Sequence, residues 1–113
     1  MKVFKESAVE HDKIVAAVSH LPHLVASSLS DYLSKCPDEW LQMSGQGLLD
    51  TTRVAMGNGD LWCEIMRSNQ SNLIRSLDSW IVSVEKSREL IQNEDWSKLR
   101  KFLSDAADCR AQI

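Results

Sequence analysis

The sequence contains few residues that interrupt helices. Its 113 residues include two prolines and four glycines, and all four glycines fall between positions 45 and 59. No segment alternates apolar and polar residues for long enough to predict a β-strand. The scarcity of these signals predicts an all-α domain.

Long apolar runs and clusters of one charge are also missing. No run approaches the roughly 18 to 20 apolar residues that a membrane-spanning helix needs, and the first twelve residues, MKVFKESAVEHD, lack the apolar region of a signal peptide. We therefore predict a cytoplasmic protein without a membrane partner. The net charge of −3 is dispersed, without a stripe of lysine and arginine, so a nucleic-acid partner is not expected.

Cysteine is scarce and unpaired in its spacing. Cys36, Cys63 and Cys109 are far apart, odd in number, and form no CxxC pair. This pattern argues against a disulfide framework and against a zinc site built on cysteines. We expect buried or half-buried free thiols, because free cysteine packs as a small apolar side chain.

Apolar residues recur at helical spacing along most of the chain. Ser7 followed by Glu10 has the pattern of a capping box, which predicts that the first long helix begins there. The sequence Cys36-Pro37-Asp38 ends this helix. Residues at steps of three and four give it one apolar stripe: Ile14, Val18, Leu21, Val25, Leu29 and Tyr32.

The rest of the chain predicts shorter helices and a second long one. Asp60 and Asn93 are the expected N-caps of the segments that follow them. Further helices are expected near 39–43, 48–56, 61–68, 69–92 and from 94 onward, with a loop at 44–47. Five or six helices with two long ones result. Their apolar stripes fit either a core within one chain or burial by a second subunit.

Two histidines flank a proline inside the first long helix. His20 and His23 are three residues apart and share a helix face, and Pro22 between them removes one backbone donor. We expect the histidines to point away from the apolar stripe or along its edge, and Pro22 to kink the helix. From the residues alone, structural histidines, contacts to a ligand, and metal ligands all remain possible.

A second polar group follows a glycine-rich stretch at 45–53, GQGLLDTTR. Asp50 and Arg53 are the only charged residues between positions 40 and 59. They fit a local ion pair of a few tenths of a kcal/mol, or they leave Arg53 available to hold a carboxylate by two parallel hydrogen bonds. The glycines form no dinucleotide-binding fingerprint.

Together these motifs resemble the C-terminal helical domain of the prephenate/arogenate dehydrogenase family. The resemblance covers nearly the whole chain from His11, and no single motif is specific on its own. The motifs are HD at 11–12, SHLPH at 19–23, the glycine loop leading to DTTR at 50–53, Leu61-Trp62, and Asn69. Two departures are Gly45-Gln46-Gly47-Leu48, where the family often has Gly-Gly-Phe, and Gly59, where a proline is common.

The resemblance implies a fold and a domain organisation. Residues 11–113 would be the dimer-forming helical domain, similar to the C-terminal domain of 6-phosphogluconate dehydrogenase, and residues 1–10 the remnant of an interdomain linker. The N-terminal Rossmann domain, which in this family binds NAD or NADP and supplies the catalytic histidine, would be absent. No cofactor or metal is then expected on this chain.

The resemblance also implies a role for individual residues. Family members oxidise prephenate or arogenate with loss of carbon dioxide, so the ligand is a small dicarboxylate. His23 would contact the substrate side chain, and Arg53 would bind a carboxylate. Trp62, Gln46 and Gly47 would line the same pocket, completed across a homodimer, while Ser19 and His20 would position His23. The alternative is a free-standing helical dimerisation or scaffold module without catalysis.

Overall fold

The computed structural model describes residues 7–113, and every regular element in that range is helical. Counting continuous stretches together gives six helices, two of them long, so the predicted fold class is confirmed. The elements are α1 (Ala8–Val15), a π-helical segment (Ala16–His20), α2 (Leu21–Ser34), α3 (Asp38–Leu41), α4 (Gln46–Thr52), a 3₁₀ segment (Arg53–Met56), α5 (Gly59–Ser68), α6 (Gln70–Gln92) and α7 (Trp96–Ala111).

The first long helix is continuous from Ala8 to Ser34 and begins where the sequence predicts. Ser7 is its N-cap, and the Ser7 Oγ accepts a hydrogen bond from the Glu10 backbone N–H at 3.2 Å. The predicted linker at 1–10 lies mostly outside the described residues.

A wide turn precedes Pro22. The Leu21 N–H donates to the Ala16 carbonyl, five residues back, instead of the α-helical four. We attribute this π segment to Pro22, because a proline ring in a regular α-turn collides with the carbonyl four residues before it and donates no hydrogen bond. The expected kink is therefore a widened turn that carries one extra residue.

The most buried face of this helix differs from the predicted apolar stripe, whose members Leu21, Val25 and Leu29 are half-buried. His20 and His23 are 8% and 7% exposed and lie on the packed side with Ala16 and Ala26, whereas Val18 of the expected core stripe is 68% exposed. The histidines, which were expected to point away from the apolar stripe or along its edge, are therefore buried and not turned to solvent. Periodicity finds an apolar stripe, but it does not identify which molecule covers that stripe.

The short middle helices begin earlier than predicted. Gln46 and Gly47 lie in the first turn of α4, not in a loop. Asn58, not Asp60, is the N-cap of α5: its backbone is extended, and its Oδ1 accepts from the Leu61 N–H at 2.9 Å. Asp60 lies instead in the first turn, where the helix dipole favours an acid.

The junction between α6 and α7 also differs from the prediction. The Asp95 N–H donates to the Leu90 carbonyl and the Glu94 N–H to the Ile91 carbonyl, the pair of bonds that defines a Schellman C-cap. Asn93 therefore belongs to the end of α6. Asp95 is the N-cap of α7, and its Oδ1 accepts from the Lys98 N–H at 3.2 Å.

Glu94 is strained at this junction, because it adopts a left-handed backbone with φ of 54°. Glycine adopts this conformation without a Cβ clash, so Glu94→Gly is expected to raise the free energy of unfolding by about 1 kcal/mol. Chemical denaturation measures the change. Glu85→Gly, within α6, is the matched control and should lower stability by about 0.5–1 kcal/mol. If both variants lost stability, the claim that the backbone of Glu94 is strained would be contradicted.

Few apolar side chains are buried within one chain. Among the described residues only Ala16, Ala26 and Leu73 are buried hydrophobics. The described residues fall into two compact units, one ending at Ser76 and the other covering Leu77–Ile113. Both units expose large apolar side chains, among them Ile14, Val18, Tyr32, Ile74, Ile81, Val82, Val84, Ile91 and Leu103. None of the helices described is long and apolar enough to cross a membrane.

Candidate functional site

The imidazole of His23 stacks on the indole of Trp62. The ring centroids are 3.9 Å apart and the planes are inclined by 21°. His23 lies on the packed face of α2 and Trp62 on α5, so the stack joins two helices that are distant in sequence. The Ser27 Oγ lies 3.5 Å from His23 Nδ1. His23 Nε2 is buried and has no hydrogen-bond partner, which is costly unless a ligand or partner satisfies it.

His20 meets the same indole edge-on, with ring centroids 6.4 Å apart and an interplanar angle of 82°. Its Nδ1 lies 3.4 Å from the side-chain Nδ2 of Asn69, a buried residue between α5 and α6. The same Asn69 Nδ2 donates to the Asp12 carbonyl at 2.8 Å. Four of the motifs noted in the sequence therefore form one contiguous polar and aromatic group.

A cavity of about 560 Å³ opens beside the stack. It is mostly apolar, with a few polar atoms at its wall, which is typical of sites that hold a small organic ligand. Its lining includes His23, Leu24, Ser27, Trp62, Met66 and Leu73.

Arg53 lies at a second cavity, of about 430 Å³, whose lining includes Ser30, Gln46 and Asp50. Asp50 accepts a hydrogen bond from Gln46 Nε2 at 2.8 Å rather than pairing with Arg53. Within residues 7–113 the Arg53 guanidinium makes no hydrogen bond or ion pair. It is exposed, so its charge is available to an anion.

The predicted site residues are thus only partly brought together within one chain. His20, His23 and Trp62 form one group, whereas Arg53 and Gln46 line the other cavity. Ser19 is half-buried in the π segment. Gly47 is exposed and has no atom near the position of a Cβ.

Gly57 also lies against this group, although no role was predicted for it from the sequence. A Cβ at Gly57 would lie 2.8 Å from Trp62 Nε1 and 3.1 Å from His23 Nε2. The absence of a side chain there allows the stacked rings to lie against the backbone. The only signal in the sequence is the glycine itself, at the start of Gly57-Asn58-Gly59.

Gly57→Ala is expected to separate the stacked rings and to lower the free energy of unfolding by about 1–3 kcal/mol, as overpacking does. Gly59→Ala is the matched control, because nothing lies within 4 Å of a Cβ at Gly59. Thermal or chemical denaturation compares the two. Equal effects of both variants would show that the contact at Gly57 has no energetic importance.

The three thiols differ in exposure. Cys36 is half-buried as predicted, but Cys63 and Cys109 are exposed, so the prediction of burial is wrong for those two. Across residues 7–113 no three histidine, cysteine or acidic side chains are grouped so that they could hold a metal ion.

Comparison with known sequences identifies related proteins. The family described as "Prephenate dehydrogenase, dimerization domain" matches residues 7–105. Prephenate dehydrogenase of Bacillus subtilis (strain 168) is 29% identical over 107 residues, which cover 92% of this chain and 29% of that protein. Cyclohexadienyl dehydrogenase of Zymomonas mobilis is 33% identical over 111 residues, covering 95% and 38% respectively. The chain thus spans about a third of the length of these relatives.

Solved structures of the same group have the same fold. Synechocystis arogenate dehydrogenase matches with a TM-score of 0.91 and 27% identity, over 99% of this chain and 42% of that one. Prephenate dehydrogenase from A. aeolicus, in complex with hydroxyphenyl propionate and NAD⁺, matches with a TM-score of 0.89 and 30% identity, over 99% and 40%. The chain therefore belongs to the prephenate dehydrogenase dimerization-domain family.

Proposed function

We propose that this chain is the substrate-binding and dimerisation part of a prephenate or arogenate dehydrogenase. With prephenate, the reaction transfers a hydride to NAD⁺ or NADP⁺ and releases the ring carboxylate as carbon dioxide. The products are 4-hydroxyphenylpyruvate and the reduced nicotinamide. The observation that carries the proposal is the family match over residues 7–105. The chain's own part is to bind and orient the dicarboxylate, which hydride transfer requires.

The two cavities suit the two ends of such a substrate. The apolar cavity beside the His23–Trp62 stack fits a six-membered ring, and the free guanidinium of Arg53 fits a carboxylate. The A. aeolicus relative in complex with hydroxyphenyl propionate, a phenyl ring with a carboxylate side chain, supports this ligand class. We assign substrate contacts to His23, Trp62 and Arg53, wall positions to Gln46 and Gly47, and support of His23 to Ser19 and His20.

We infer that a homodimer completes this site. The exposed apolar side chains of the long helices need a partner surface, and the family is described as a dimerization domain. In a symmetric dimer each subunit presents the same face to the other. Arg53 and His23 lie at separate cavities of one chain. In the dimer, Arg53 of one subunit and His23 of the other can then line the same pocket.

The proposal assigns the cofactor to another part of the enzyme, a Rossmann domain that binds NAD or NADP, with which this chain would pack. The relative solved with NAD⁺ supports NAD. We retain the cytoplasm as the expected compartment, since three free cysteines fit a reducing environment.

The test is a turnover assay of the protein carrying this chain together with its dinucleotide-binding domain. Prephenate and arogenate are each supplied with NAD⁺ or NADP⁺, and formation of the reduced nicotinamide is followed by absorbance. We expect turnover with at least one of the four pairs. A folded, dinucleotide-binding dimer that oxidises neither substrate would contradict the proposal and favour the scaffold alternative.

A further inference from the structure

We infer that Asn69 is a positioning residue, which fixes the neutral Nε2–H tautomer of His20 and through that ring holds the Trp62–His23 stack against the cavity. The effect of the stack on substrate binding rests on the proposed function. The tautomer of His20 can be tested without any activity. Asn69 is one of the motifs of the family resemblance, but the resemblance gave it no role.

The orientation of the Asn69 amide follows from its partners. Its Nδ2 lies 2.8 Å from the Asp12 backbone carbonyl, which only accepts hydrogen bonds, so this atom is the nitrogen and not the oxygen. The opposite atom, Oδ1, accepts from Asn72 Nδ2 at 2.9 Å. A flipped amide would set two oxygens against each other at Asp12.

The second N–H of the same amide then points at His20. Asn69 Nδ2 lies 3.4 Å from His20 Nδ1, and a nitrogen that faces a donor must accept. The proton of the neutral ring is therefore on Nε2. Because His20 and Asn69 are 8% exposed each, solvent offers little competition for this contact.

The ring held in this way supports the site residues. His20 meets Trp62 edge-on at 6.4 Å, and Trp62 stacks on His23 at 3.9 Å. A rotation of the His20 ring would remove the edge that supports the indole. Asn69 thus acts on the cavity through His20 and Trp62 and does not touch the ligand itself.

The first measurement uses the unmodified protein. Histidine labelled with ¹⁵N is observed through long-range ¹H–¹⁵N correlation at mildly alkaline pH, and His20 is assigned by its loss in His20→Gln. We expect the Nε2 shift of a protonated nitrogen and the Nδ1 shift of an unprotonated acceptor. A protonated Nδ1, or two averaged shifts, at His20 of the unmodified protein would overturn the proposal.

The second measurement separates positioning from simple support of α1. Asn69→Ala is expected to average the His20 shifts and to raise KM for the substrate by roughly fivefold or more, with a smaller change in kcat. Ser71→Ala, at an exposed position in the first turn of α6, is the control and should change neither. In a His20→Phe background the KM effect of Asn69→Ala should vanish, since coupled residues are not additive.

If the effects of Asn69→Ala and His20→Phe on KM were additive, Asn69 would only anchor Asp12, and the inference would be overturned. The two proposals also fail separately. The expected tautomer in a protein that oxidises neither prephenate nor arogenate would contradict the dehydrogenase assignment alone, whereas turnover with the wrong tautomer would contradict the role of Asn69 alone.

Discussion

Under the proposed function, Arg53→Ala is expected to lower kcat/KM for prephenate at least tenfold in the protein that also carries the dinucleotide-binding domain, mainly through a higher KM. The guanidinium is exposed, lines a cavity and has no partner within residues 7–113, so the protein itself loses little when it is removed. A charge-assisted bidentate contact to a carboxylate contributes about 1.5–3 kcal/mol, and each 1.4 kcal/mol is about tenfold. Steady-state kinetics measures the change.

Two further variants test whether the effect depends on the guanidinium of Arg53. Arg53→Lys keeps the charge but loses the planar fork, so it should retain only part of the affinity. Arg110→Ala, an exposed arginine in the last turn of α7, should leave the kinetics unchanged. Undiminished turnover in Arg53→Ala, in a dimer of normal stability, would remove Arg53 from the binding site.

Val18→Asp is expected to dissociate the homodimer. Val18 is 68% exposed in a single chain, so a carboxylate there costs the isolated fold little. In the dimer, an unpaired charge buried in the interface costs about 3 kcal/mol or more, which weakens the dimer more than about a hundredfold. Analytical ultracentrifugation across a dilution series measures the shift.

Val18→Thr is the matched control, because it keeps the shape and adds only a neutral hydroxyl. It should weaken the dimer far less. The thermal stability of the parent protein should also fall on dilution, since folding and association are linked in an obligate dimer. If Val18→Asp remained dimeric, this part of the first helix would not belong to the interface.

Local signals in the sequence predicted most of the helix boundaries. The capping pattern at Ser7 and the stop before Pro37 depend on neighbouring residues only, and both are confirmed. Asp60 and Asn93 were wrong as N-caps because several residues in each junction have capping side chains. The backbone angles select Asn58 and Asp95 there, and tertiary packing, which a local pattern does not contain, decides those angles.

Local sequence signals did not predict which face of the first helix packs against the rest of the chain. The stripe is half-buried at Leu21, Val25 and Leu29 and exposed at its other positions, whereas the histidine face is packed. Hydrophobic periodicity measures which residues avoid water in the final assembly. A stripe that a second subunit covers and a stripe that the core covers give the same pattern.

For the candidate site, the sequence identified residue types more successfully than it identified their geometry. His20, His23 and Trp62 lie together, whereas their roles and the assembly of Arg53 with them remain predictions. Gly57 and Asn69 act through contacts with residues far away or on another helix, and a single sequence does not reveal such contacts.

The π segment at 16–20 has a consequence for how relatives of this chain are aligned. Its wide turn contains one residue more than an α-turn in the same length of helix. A relative with a regular turn there would differ by a one-residue gap in the middle of a helix, where gaps are usually treated as errors. The direction in which the two histidines face is thus set by the number of residues before them as much as by their identity.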